Sequence, residues 1–195
     1  ISLGGESHAC AIINDGSARC WGAGQFGRIG DGTGDNKQSP SPVAFSQKFA
    51  SNTTATAITA GNQHTCAILN YGNVSCWGRG YGSAIGIPLN TNDQNSPQAT
   101  SSLGVGRTAE NISLGYQFAC AILDNGLVSC WGSGGNGEMG NGNNAGSNSI
   151  PTLTSSLGAN RTAVAIASGP YHTCVILDNG SVSCWGQNSY GALGR

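Results

Sequence analysis

HTCAILNYGNVSCWG, residues 64–78, decides the fold because the chain writes it four times. HACAIINDGSARCWG (8–22), FACAILDNGLVSCWG (118–132) and HTCVILDNGSVSCWG (172–186) are the same unit, with turn, cysteines and Trp-Gly at matching positions. The first cysteines are Cys10, Cys66, Cys120 and Cys174, so the period is 56, then 54, then 54 residues. A fixed period of this length marks a modular array in which each unit buries its faces against its neighbours. The units divide as 1–55, 56–109, 110–163 and 164–195, the last incomplete.

Each unit centres on a turn: Asn14-Asp15-Gly16, Asn70-Tyr71-Gly72, Asp124-Asn125-Gly126 and Asp178-Asn179-Gly180. A three-residue loop closing on Gly is a type I turn followed by a bulge, with Gly left-handed. In that register 12 faces 18, 11 faces 19 and 10 faces 20. All eight cysteines then stand opposed in pairs: Cys10 with Cys20, Cys66 with Cys76, Cys120 with Cys130, Cys174 with Cys184. Non-hydrogen-bonded antiparallel partners bring Cα atoms to roughly 4.5 Å, a distance a disulfide accepts. Zinc is the rival reading, but structural zinc sites favour C-x2–4-C spacing rather than opposed strand positions. Four disulfides imply an oxidising compartment, extracellular or at the cell surface.

Alternation puts His8, Cys10 and Ile12 on one face of the first hairpin strand, and Ala9, Ala11 and Ile13 on the other. Neither face is polar, so each small sheet must be covered on both sides. Trp21, Trp77, Trp131 and Trp185 fall opposite Ala9, Thr65, Ala119 and Thr173, small residues that leave room for an indole across the sheet. A glycine-rich stretch follows, ending Ile29-Gly30, Ile85-Gly86, Met139-Gly140 and Leu193-Gly194. Prolines 42, 97 and 151 suit an outermost edge strand, where a missing donor costs little. The expectation is an all-β, propeller-like array of four-stranded antiparallel blades, with the fourth blade lacking its last strand.

Written as HTCAILNYGNVSCWG, then Gly-x-Ile/Leu-Gly and a proline, the unit resembles the repeat of the regulator-of-chromosome-condensation family. The resemblance covers essentially the whole chain and implies a β-propeller, normally of seven blades. The paired cysteines look more like a secreted branch of that family than its nuclear founder. Fold resemblance alone leaves function open.

Composition narrows the function classes. Only 9 % of residues are charged and the formal net charge is −1, so no basic stripe exists for nucleic acid. No apolar run approaches the roughly 18 residues of a membrane span. Ile1 sits within a repeat strand, and GALGR (191–195) stops where earlier units continue, so a longer repeat array is expected.

His8, His64 and His172 share one repeat position, with Phe118 in unit three. A metal ring is conceivable there, but hydrogen bonding to the next blade is the plainer role. The tryptophans read as packing residues rather than a sugar platform. Asp31, Asp35 and Asn36 superficially resemble a calcium loop, yet the equivalent loops lack the acidic pair. Sequons occur at Asn52, Asn73, Asn111, Asn160 and Asn179; Asn52 and Asn160 lie in connecting loops where a glycan could stand clear. Phe45, Lys48, Phe49 and Tyr81 are the few loop anchors. No catalytic set and no cofactor motif emerges. The expected function is a non-catalytic extracellular scaffold within a surface or fibrous assembly, partnered by further repeats or other copies. The alternative is a secreted module binding protein or glycan through its loops.

Overall fold

A computed structural model describes residues 1–5, 7–45, 49–50, 52–88, 90–143 and 146–194. Lys48 lies outside the described residues. The chain forms four antiparallel meanders. Unit one holds β1 (Ser2–Leu3), β2 (His8–Ile12), β3 (Ala18–Gly22) and β4 (Lys37–Pro42). Unit two holds β5 (Ala55–Ala60), β6 (His64–Leu69), β7 (Val74–Gly78) and β8 (Gln94–Ala99). Unit three holds β9 (Ala109–Leu114), β10 (Phe118–Leu123), β11 (Val128–Ser133) and β12 (Ser147–Leu153). Unit four holds β13 (Ala163–Ser168), β14 (His172–Leu177) and β15 (Val182–Gly186).

The central hairpins set the register. Cys10 faces Cys20, Ala9 faces Trp21 and Ile12 faces Ala18, and the other units repeat this pairing. Gly16, Gly72, Gly126 and Gly180 all take positive φ, between 74° and 81°, which closes each turn without a Cβ penalty. Four disulfides bridge the hairpins at 10–20, 66–76, 120–130 and 174–184, with Cα atoms 4.1 Å apart. The proline-bearing strands β4, β8 and β12 lie at the sheet edges.

Two features escape the hairpin pattern. The sheets of units two, three and four start at the alanine that closes the preceding unit as divided from the sequence. Ala55, Ala109 and Ala163 donate their N–H to the carbonyls of Gly16, Gly72 and Gly126, so each hairpin turn aligns the next blade. The outer pairing also slips between Cys20 and Gly22, Cys76 and Gly78, and Cys130 and Gly132. A bulge thus sits on the outer side of the first three tryptophans, which keep their pairing with Ala9, Thr65 and Ala119 on the inner side.

Candidate interaction surface

The blades meet through two unlike faces. The Cys66, Ile68, Val74 and Cys76 face of unit two packs on Ala119, Ala121, Leu123 and Trp131 of unit three. The corresponding residues repeat the contact between units one and two, and between units three and four. Every junction is therefore head-to-tail: a Cys/Ile/Val face receives an Ala/Leu/Trp face.

Each indole locks the junction. Trp77 donates to the Arg28 carbonyl at 3.0 Å, Trp131 to Ala84 at 3.2 Å and Trp185 to Glu138 at 2.8 Å. The rings lie so close to Gly30, Gly86 and Gly140 that a Cβ there would sit 2.5–2.8 Å from an indole nitrogen. Histidine adds an inner bond: His8 Nε2 meets Thr65 Oγ1 at 3.0 Å, and His64 bonds the Phe118 backbone. Burial is the main force lowering both imidazole pKa values, to about 3 for His8 and about 4 for His64; for His8 the Arg28 charge acts in the same direction. Both rings are neutral packing elements at ordinary pH. Among the described residues, no group of three or more His, Cys, Asp or Glu could hold a metal ion.

The end blades each leave one face open. Val182 is 64 % exposed, against 2 % for Val74 and 1 % for Val128 at the same repeat position. Ile176 is likewise exposed while Ile68 and Ile122 are buried. In unit one the open side is the other face, where Ile13 is exposed and Trp21 only half-buried. Gly194, the equivalent of the indole seats, has nothing within 4 Å. The two open faces are the two complementary halves of the junction used three times inside the chain.

Asp31 is consumed by its own loop. It accepts from Thr33 N, Thr33 Oγ1 and Ser41 Oγ, and pairs with Lys37 at 2.8 Å. Partial burial pushes its pKa up, but Lys37 and the Thr33 bonds outweigh that and hold it below the usual carboxylate range. The sequon asparagines Asn52, Asn73, Asn111, Asn160 and Asn179 are all exposed. Asn111 sits within β9 and its Oδ1 accepts from Ile112 N, whereas Asn179 Oδ1 accepts from both N and Oγ of Ser181. Asn160 takes φ 56° on a loop lining a groove of about 400 Å³ with Leu127, Leu153 and Leu157.

The loops after the Trp-Gly of units one and two form an aromatic cluster of which the sequence singled out only Tyr81. Arg79 stacks over Phe26 (4.7 Å to the ring centroid) and Tyr81 (5.4 Å), across the junction of units one and two. Phe26 and Tyr190 occupy one repeat position with φ 64° and 61°, where unit two has Gly82 at 67°. A bulky residue held in that region is an outlier worth a functional reading. Phe45, by contrast, is a packing residue: its ring meets Phe49 and Trp77 edge-on at 6.3 and 6.2 Å. The usable signal in the sequence was an aromatic ring at a glycine slot of an otherwise matching loop.

The family model described as "Regulator of chromosome condensation (RCC1) repeat" matches residues 15–68 and 125–176, more than half of the chain. A second model of the same description matches 55–82, 110–138 and 163–192. The chain belongs to this repeat family, and its sheets are propeller blades. It is 29 % identical over 191 residues to the human E3 ubiquitin-protein ligase HERC2, covering 98 % of this chain and 4 % of that protein. It is 30 % identical over 200 residues to the mitochondrial RCC1 domain-containing protein RUG3 of Arabidopsis thaliana, covering 100 % of this chain and 43 % of the relative.

Human WBSCR16 superposes with a TM-score of 0.85 at 20 % identity, over 97 % of this chain and 48 % of that one. Yeast RCC1 (Prp20), solved with Kap60 bound, superposes at 0.83 and 18 % identity, over 97 % and 44 %. The CRINKLY WD40 ectodomain of the Arabidopsis thaliana receptor kinase ACR4 gives 0.55 at 21 %, over 94 % and 51 %. The chain thus spans about half or less of each of these proteins. No helix among the described residues is long and apolar enough to cross a membrane. Four intra-blade disulfides fit an oxidising compartment.

Proposed function

We propose that this chain is a non-catalytic extracellular or cell-surface scaffold whose blades assemble head-to-tail, with further repeats or other copies covering its end faces. The complementarity of those two faces carries the reading. One presents Trp21 and Ile13; the other presents Ile176, Val182 and the empty indole seat at Gly194. Apolar surfaces of this kind on a repeat array require a cap, and a heterologous pair generates a ring or a filament. The disulfides supply the extracellular half of the proposal.

The test is the solution mass of the 195-residue chain under oxidising conditions. Concentration-dependent association is expected. A stable monomer of 19.6 kDa with both end faces solvated refutes the scaffold reading. That result favours the alternative, a secreted module that binds a protein or glycan through its loops. The observation behind the alternative is the Phe26–Arg79–Tyr81 stack, an amphipathic aromatic surface of the kind binding sites use.

A further inference from the structure

Repeat position seven residues after the tryptophan holds Arg28, Ala84, Glu138 and Ala192 in the four units. Two charges of opposite sign at one buried position are unusual. Arg28 is 1 % exposed and spans its junction, its Nη1 donating to the Asn62 carbonyl of unit two at 3.4 Å. Glu138 is 2 % exposed at the junction of units three and four. The alanine in unit two is equally buried, so blade packing does not itself call for a charge here.

Glu138 is held by its own loop, with both carboxylate oxygens engaged. Oε2 accepts from Asn136 N and Oε1 from Asn136 Nδ2, both at 2.7 Å. A carboxylate offers about four acceptor sites, so about two remain open. No Lys, Arg or His among the described residues pairs with it. The two Asn136 donors satisfy one site on each oxygen, and a cation reaching the open sites would add a charge-assisted bond to a buried charge.

Glu138 lines a cavity of about 40 Å³ together with Gln117, Ser133, Asn136, Tyr116 and Tyr171. None of the residues lining it carries a positive charge. The two tyrosines face each other across the junction, ring centroids 5.7 Å apart and tilted by 41°, with Tyr116 N donating to the Pro170 carbonyl. Tyr171 is 41 % exposed, so the cavity reaches solvent beside an aromatic face. Its volume exceeds the roughly 10–15 Å³ that one water needs, so it admits a small polar group. Aromatic faces beside a carboxylate are the recognised surroundings of an alkylammonium.

We propose that the Glu138–Tyr116–Tyr171 cavity is a binding site for a primary alkylammonium, the side-chain end of a partner's lysine or a free amine. The ammonium donates to the open carboxylate positions of Glu138 while its alkyl stem lies against Tyr171. Unit one places a cation, Arg28, at this same repeat position. The site sits inside the chain between units three and four, so it stands whether the end faces assemble or not.

The test is titration of the intact, oxidised chain with n-butylammonium, followed by amide NMR shifts at Asn136 and Glu138. Saturable binding with a dissociation constant on the order of millimolar is expected, with n-butanol giving no shift. Glu138→Gln keeps the shape and one acceptor for Asn136, and weakens binding about tenfold or more. Tyr171→Ala, at an exposed position, weakens it severalfold with Glu138 intact. It keeps the test decisive if Glu138→Gln does not fold. Nα-acetyl-lysine methylamide binding more tightly than butylammonium identifies a protein lysine as the source; equal binding identifies a free amine, and both support the site. Absence of saturation, equal shifts with n-butanol, or undiminished binding by a folded Glu138→Gln overturns it, leaving Glu138 as a brace for its own turn.

Discussion

Gly86 shows how one residue serves backbone and packing together. Its φ of +73° is left-handed, and a Cβ would approach Trp131 Nε1 to 2.8 Å. Gly86→Ala is expected to destabilise by roughly 2–4 kcal/mol in urea unfolding, combining the left-handed penalty with overpacking. Gly194→Ala has the same φ problem with nothing within 4 Å, so about 1 kcal/mol is expected. Equal losses in the two variants would show that indole contact is irrelevant. The histidines make an acid prediction at the same scale. His64 is neutral in the fold down to about pH 4, while an unfolded imidazole takes a proton near 6.5. Its contribution is intact above 6.5 and is lost as pH falls toward 4. Phe118 demonstrates that the slot accepts a phenyl ring. Between pH 7 and 4.5, His64→Phe is therefore expected to lose about 2 kcal/mol less stability than the parent chain. Identical acid profiles would contradict the buried neutral ring.

Blades differ in how well they protect their staples. Cys10, Cys20, Cys66, Cys76, Cys120 and Cys130 are wholly buried, whereas Cys174 and Cys184 are only partly so. Under mild reduction with alkylation and peptide mapping, 174–184 is expected to open first. Uniform labelling of all four would mean that the open face of unit four is covered in solution. Removing Cys66 and Cys76 together should cost about 2–3 kcal/mol on the chain-entropy account. Loops carry the prediction for sugar. In a eukaryotic host, Asn52 and Asn160, on exposed connecting loops, should be glycosylated ahead of Asn179, whose amide oxygen is engaged by Ser181. Mass spectrometry finding Asn179 full and the other two bare would overturn this order.

At the scale of the molecule the junctions are directional, and that direction can be tested. Trp21→Ala removes the indole from one open face, and Val182→Asp charges the other. Each variant alone retains one good face, so neither should grow beyond small species. Mixed, they are expected to form a 1:1 complex through the intact Trp21 face of one and the intact Val182 face of the other. Size-exclusion chromatography with light scattering reads this directly. Failure of the mixture to associate, with both variants folded, would remove head-to-tail assembly as the organising contact.

The hairpin, its cross-strand cysteine pairs and its tryptophan partners were legible in HTCAILNYGNVSCWG because turn chemistry and strand alternation act over a few residues. The repeat period, written four times, carried the blade count for the same local reason. Which face of one blade meets which face of the next was not legible, since both faces read as apolar. Only packing placed Cys66 and Ile68 against Ala119 and Trp131. The indole seats at Gly30, Gly86 and Gly140 likewise depend on contacts between units roughly 50 residues apart, and Glu138 is buried at such a junction. The sequence by itself determined the blade. The tertiary structure decided how blades join and where the junctions leave a site, because burial and close approach are properties of two units brought together.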